Sequence, residues 1–346
     1  MAYATVDNPD TVAKVKLYTG TGSENAITGV GFAPALTMIK SRDGTPSWVV
    51  VDKVRGATKR LKSDQDTAEG TETQMVKTLD SDGFTLGTTS TSNANGTNFF
   101  SLNFKGNGSG SSNSDGSVTS TVSANTSKTF SVVKWTGTGA NATVGHGLTT
   151  KPVMIWVKRT DASSNWKCYH REIGPDWTLK LNTNDVRSQE TNWQDTHPTT
   201  SVFYVGSGSE ENNNGSQMIA YCFGEADGCT KGGSWRPTGQ AGNGGFIHTG
   251  FAPEIVIYKR YTQAGGNWGI HDRTRRPKNV NGYTLQFDTT GAEFSYENNS
   301  GYVDMLSNGF NLYGTSSSHN DGSSYYIYYA IGRPLVGTND IPSNAR

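Results

Sequence analysis

Residues 250–268 read GFAPEIVIYKRYTQAGGNW, and residues 31–48 read GFAPALTMIKSRDGTPSW. A third version, HGLTTKPVMIWVKRTDASSNW, occupies residues 146–166. Aligned, the three place proline at Pro34, Pro152 and Pro253, and lysine six residues later at Lys40, Lys158 and Lys259. A tryptophan closes each stretch: Trp48, Trp166 and Trp268. Upstream stand LYTGTG, KWTGTG and SWRPTG; downstream stand SDGFTL, TSVFYV and SNGFNL. Each copy ends on a turn and an aromatic strand: NGTNFFSLNF, NGSQMIAYCF and DGSSYYIYYA. Anchors in one order, three times, about 100 to 120 residues apart, define a repeat. That period exceeds a solenoid unit and suits a complete small domain.

The repeat predicts three tandem homologous domains: residues 16–105, 130–228 and 229–336. Around them fall an N-terminal arm (1–15), a Gly/Ser-rich linker (106–129) and a C-terminal tail (337–346). The string GNGSGSSNSDGS at 106–117 has the composition of a flexible connector. It is the expected first site of proteolysis, with each domain holding its own core and little coupling between them except where they pack directly.

Within each copy the signals are those of strands. ALTMIK, VMIWVK and EIVIYK are short, apolar and β-rich, and each opens after a proline, which a strand tolerates at its start. The nearly unbroken run in the second copy predicts a strand covered on both faces. A polar turn and a second strand starting at the tryptophan predict a hairpin. Asn95-Gly96, Asn214-Gly215 and Asp321-Gly322 predict further hairpin turns. Phe100, Leu102 and Phe104, and likewise Ile219, Tyr221 and Phe223, alternate with their neighbours and are expected to face a core. The best helical candidate, TAEGTETQMVKTL at 67–79, is broken by Gly70. The fold class is therefore all-β, three antiparallel β-sandwiches of the jelly-roll kind.

Composition agrees. Forty-two glycines and only 17% charged residues suit short strands and tight turns. Thirty basic and thirty acidic residues give no net field toward nucleic acid or an anionic membrane, so neither is an expected partner. No apolar run approaches a membrane span, and the N-terminus lacks the pattern of a secretory signal. Cys168, Cys222 and Cys229 are odd in number and are expected to be small buried thiols.

The phrases GFAPALTMIK, VRGATK, DSDGFTLG, NANGT, MAYATVDNP, FSVVKWTGTGANATVGHGL and MIAYCFGE, with the closing SNAR, are similar to a known family. It comprises repeat-containing structural proteins of tailed phages, especially those of marine bacteria and cyanobacteria. The resemblance covers essentially the whole chain. It implies a virion component with lectin-like repeats, made in the host cytoplasm: a tail fibre, a tail appendage, or a head fibre or decoration. Its implied partners are other virion proteins and further copies of itself. The family has no assigned catalytic residues, so the resemblance carries none over.

Candidate chemistry is sparse. The tryptophans are expected to pack in cores or hairpins, although an exposed aromatic can stack on a sugar. The lysines are expected at sheet edges, discouraging edge pairing. Asp52 and Asp272 follow the tryptophans at matching offsets, with His170 at that place in the second copy; they are expected as lone surface acids, without a partner carboxylate for glycosidase chemistry. No histidine spacing marks a metal site, so no metal, cofactor or enzymatic activity is expected. Contact surfaces are expected where the copies differ. WQDTHPTT at 193–200 offers Trp193 and His197, and RTRRPKNVNGY at 273–283 offers Arg273, Arg275 and Arg276. The alternative function is a glycan-binding adhesin recognising a host surface polysaccharide through such loops.

Overall fold

The computed structural model describes residues 4–242, 244–295 and 301–336. It is all-β and antiparallel. Helix among these residues is confined to Ser90–Asn93 and the short turns Pro9–Thr11 and Arg171–Ile173. The first large sheet orders its strands Ala13–Thr19, Asn98–Lys105, Pro34–Ser41, Val49–Asp52, Gly56–Leu61, Gly70–Thr71. The third repeats that order with Thr230–Trp235, Tyr326–Pro334, Phe251–Arg260, Trp268–Asp272, Tyr283–Gln286, Phe294–Ser295. The second does the same with Phe130–Thr136, Gln217–Phe223, Met154–Arg159, Lys167–His170, Trp177–Lys180, Ser188–Gln189. A small sheet lies against each: Asn25–Ile27, Gly83–Leu86 and Val76–Asp80; Ala142–Gly145 and Val202–Val205; Phe246–His248, Gly309–Tyr313 and Tyr302–Met305.

Period-two alternation distributes the side chains between two kinds of core. Ile39, Ile155 and Val256 point into interiors closed by the small sheets. Met38, Trp156 and Ile257 point the other way, into one cluster drawn from all three large sheets. Phe100, Leu102, Phe104, Ile219, Tyr221, Phe223, Ile327, Tyr329 and Ile331 join them there. The run VMIWVK is covered on both faces, as its unbroken apolarity indicated. The expectation of three self-sufficient cores is overturned, because half of each large sheet is buried only by the other two.

The recurrent prolines occupy matching places. Lys53 N–H donates to Ala35 O, Arg171 N–H to Val153 O and Arg273 N–H to Glu254 O, each beside its proline. Register shifts follow Pro34 and Pro253, where the missing N–H costs no ladder bond.

Three sequence expectations need correction. The 106–129 linker is partly sheet: Ser111–Asn113 and Ser120–Ala124 extend the second large sheet at its edge. Val122 and Ala124 are buried in the second interior, and Val118 bridges Val144 beside the two-stranded small sheet. An edge strand needs few apolar residues, so Gly/Ser composition concealed it. The described part of the 1–15 arm, residues 4–15, is not an arm either. Val6, Val12, Ala13 and Val15 sit in the shared core, and Thr5 N–H donates to Asp227 O at 3.1 Å. The Asn-Gly turns do not join paired strands. Gly83–Leu86 lies in a small sheet and Asn98–Lys105 in a large one, so the turn at Asn95-Gly96 is a crossing between layers. The segment 67–79, which the sequence did not favour as a helix, carries the strand Gly70–Thr71 and the start of Val76–Asp80. The tail at 337–346 lies outside the described residues.

These crossing turns explain the TGTG phrase. A Cβ on Gly20 would stand 2.2 Å from Ala94 O, and one on Gly137 would stand 2.2 Å from Asn213 O. Buried Asn93 accepts from Thr21 N–H, Asn212 from Thr138 N–H and Asn320 from Gly239 N–H, pinning the turn in each copy.

A fragment spanning 130–228 leaves Trp156, Trp166, Tyr221 and Phe223 without their partners from the other two copies. It is expected to give weak near-ultraviolet circular dichroism and a broad, shallow urea transition. A sharp transition with fixed tertiary signals would contradict the shared core.

Candidate functional site

The repeated anchors meet at the seams between copies. The three closing tryptophans are at most 1% exposed. Each indole N–H crosses a seam: Trp48 donates to Gln286 O at 2.7 Å, Trp166 to Lys62 O at 2.8 Å and Trp268 to Lys180 O at 2.8 Å. The first copy thus bonds to the third, the second to the first and the third to the second. The ring is closed by bonds running in one sense. Each tryptophan's own N–H is held by a side chain at a matching place, Asp64, Asn182 or Asp288. Burying an indole contributes roughly 4–6 kcal/mol by area, as an upper estimate.

The lysines are not at edges. Lys40, Lys158 and Lys259 are fully buried, and their ammonium groups donate to backbone carbonyls. Lys158 reaches Ser164 O and, across a seam, Asp66 O at 2.9 Å. Lys259 reaches Gly266 O and, across the next seam, Thr183 O at 3.1 Å. Lys40 uses Ser41 O and Gly44 O. Burial pushes Lys40 and Lys158 down to about 8.

Asp52 and Asp272 are likewise not surface acids. Each is buried in an ion pair of 2.5 Å, with Arg55 and Arg275 respectively. Arg55 also donates to Glu69 at 2.9 Å and contacts Tyr221 Oη of the second copy at 3.4 Å. Arg275 donates to Glu293 and lies 4.9 Å from the Phe100 ring centroid of the first copy. In the second copy His170 replaces the aspartate and Ile173 the arginine. His170 Nδ1 accepts from Glu172 N–H and Nε2 faces Tyr328 O at 3.2 Å.

Arg275 is therefore a buried strut and is corrected as a member of the expected contact surface at 273–283. Arg273 is half-buried and spent on Pro253 O and Met305 O; Arg276 donates to Val280 O and lies over Tyr283. Trp193 is buried edge-on against Tyr169. Exposed His197 hydrogen-bonds Tyr169 Oη at 2.7 Å. The structure brings Trp193 and His197 together on Tyr169 but keeps both apart from the arginines, which belong to the third copy. The three cysteines are free and buried.

Two carboxylates converge at one place the sequence did not mark. Lys167 Nζ sits 2.5 Å from Glu190 and 2.8 Å from Glu210. Although burial opposes ionisation, hydrogen bonds and charge from Lys167 hold both carboxyls below their ordinary range. Both are thus fixed as anions around a cation. No cluster of His, Cys, Asp or Glu suited to a metal occurs among the described residues.

The chain belongs to the family described as Domain of unknown function (DUF7483), whose model matches residues 8–333. That span takes in all three copies and the segments between them. Neither a curated protein nor a solved structure matches the chain.

Buried histidines make the fold acid-sensitive. Burial pushes His170 down to about 3 and His146 down to about 4, from an ordinary 6.5. A histidine neutral in the fold and protonated when unfolded stabilises fully above pH 6.5 and loses that contribution as pH falls. For His170 alone the loss is about 2 kcal/mol on moving from about pH 6.5 to about pH 5. His170→Asn keeps an acceptor for Glu172 N–H and is expected to flatten that part of the stability profile in urea titrations. An unchanged slope would contradict the assignment.

Proposed function

We propose that this chain is a non-enzymatic structural subunit of a tailed-phage particle. It is built from three tandem homologous antiparallel β-sandwiches of the jelly-roll, lectin-like kind, fused around one core. It is made in the host cytoplasm and assembles with other virion proteins and with copies of itself, as a tail fibre or appendage or as a head fibre or decoration.

The observation that carries this reading is where the recurrent residues go. Trp48, Trp166, Trp268 and the three lysines are spent on seams and interiors. Repetition has been used to make one body around a shared core, with Trp193 and Arg275 of the copy-specific loops also drawn inward. A body whose three copies share one core suits a spacer or assembly module better than a hinged enzyme, whose cleft needs mobile elements. The family-like phrases MAYATVDNP and MIAYCFGE supply the phage context.

Quantitative mass spectrometry of density-purified particles of the encoding phage tests the proposal. The chain is expected at a fixed copy number per particle, with antibody labelling confined to one particle region. Presence in infected-cell lysate but absence from particles would overturn it.

A further inference from the structure

The three seams share a backbone plan and differ in side-chain chemistry. Glu69 N–H crosses to Thr160 O at 2.8 Å, Arg187 N–H to Tyr261 O at 3.0 Å and Glu293 N–H to Arg42 O at 2.9 Å. At the third-to-first seam the facing side chains close on each other, Arg42 to Glu293 at 2.7 Å. At the first-to-second seam Glu69 is taken by Arg55 at 2.9 Å. At the second-to-third seam the charged residue is Arg187, which has no carboxylate partner among the described residues. Its guanidinium lies 4.1 Å from the Trp177 ring centroid and 5.2 Å from that of Tyr261.

A second contrast continues the same surface. Where the outer strand meets the last strand, Thr19 bonds Asn98 at 3.3 Å and Thr136 bonds Gln217 at 3.1 Å. The third copy has Arg236 and Tyr325 at these places, with the guanidinium 5.3 Å from the ring centroid. Arg236 is exposed and also has no carboxylate partner among the described residues. Tyr325 is 41% exposed, and its ring lies 6.3 Å from that of Tyr261. Two hydrogen bonds hold the tyrosines in place: Tyr261 N–H to Tyr325 O at 3.1 Å and Tyr325 N–H to Thr262 Oγ1 at 2.9 Å. Trp177, Arg187, Tyr261, Tyr325 and Arg236 thus form a ladder of aromatics and of arginines without a carboxylate partner among the described residues. The carboxylates on adjoining loops, Asp185 and Glu172, are engaged by Lys180 and Arg171.

We propose that this ladder binds an anionic saccharide, one carrying carboxylate or sulfate groups. The rings hold both guanidinium groups, Arg187 over Trp177 and Arg236 beside Tyr325 with Nη1 donating to Tyr325 Oη at 3.5 Å, and their remaining N–H groups can meet a planar anion. The exposed Tyr325 ring offers an apolar face to the C–H face of a pyranose. Backbone bonds on both sides of the seam set the geometry before the ligand arrives, which lowers the ordering cost. With no net charge on the chain, attraction comes from these two local cations and weakens with salt. The inference goes beyond the structural role proposed above. It is read on purified protein, so its failure leaves incorporation into particles untouched.

The test titrates the full-length protein calorimetrically with alginate hexasaccharide, heparin hexasaccharide, maltohexaose and hexathymidylate, at low and high salt. At least one acidic hexasaccharide is expected to bind about tenfold or more tighter than maltohexaose, with loss at high salt. Arg236→Gln and Tyr325→Ala lie at exposed positions and are each expected to weaken that binding about fivefold to tenfold without moving the thermal midpoint. Arg187→Lys keeps the charge, loses the planar stack and is expected to weaken it less than Arg187→Gln. Equal affinity for maltohexaose, parental affinity in the variants, no binding to either acidic saccharide, or hexathymidylate bound as tightly as the saccharides would each overturn the proposal.

Discussion

Three indole N–H groups, each donating to a backbone carbonyl of the neighbouring copy, hold this fold closed. They matter because they run in one sense around the ring: Trp48 to Gln286, Trp166 to Lys62, Trp268 to Lys180. Each bond contributes about 1 kcal/mol net, and leaving a buried donor unmade costs about 1–3 kcal/mol. Apolar burial, which these bonds position, stabilises the fold more than the bonds themselves do. Each large sheet buries one face under its own small sheet and the other against the two neighbouring large sheets. A copy taken alone satisfies only the first.

Much of the local structure was legible. The anchors recur because the strands, the crossing turns and the tryptophan seats recur, and alternation correctly sent Phe100, Leu102 and Phe104 to one face. What one repeat cannot express is where its second apolar face goes. Phe99 and Phe100 are adjacent, and both are buried, in different cores. That doubling is visible in NFFSLNF and VMIWVK, and it was the signal for a shared core. Lys40, Lys158 and Lys259 misled for a physical reason. A lysine is ordinarily kept in water, but here carbonyls at the turns after the strand and across the seams replace hydration. Asp52 and Asp272 misled in the same way, since their partners Arg55 and Arg275 stand three residues on, at a spacing that reads as a local turn.

The Gly/Ser segment at 106–117 shows the limit of compositional reading. Side chains decide interior strands, but an edge strand is held by backbone bonds and one covered face. Ser111–Asn113 is that edge strand, and its neighbour Ser120–Ala124 supplies the apolar cover with Val122 and Ala124. The candidate site was less legible than the fold. Arg187 and Arg236 are 49 positions apart and carry no motif; only the fold brings them onto one surface. Their distinctiveness emerges by comparing matching seams, where the other copies place an ion pair or a hydrogen-bonded amide.

Scanning calorimetry of the full chain tests the shared core most directly. One endotherm is expected, with calorimetric and van't Hoff enthalpies agreeing, because no copy can unfold without exposing a face of the other two. Two or three resolved endotherms, or a van't Hoff enthalpy near one third of the calorimetric value, would show independent domains and contradict the account.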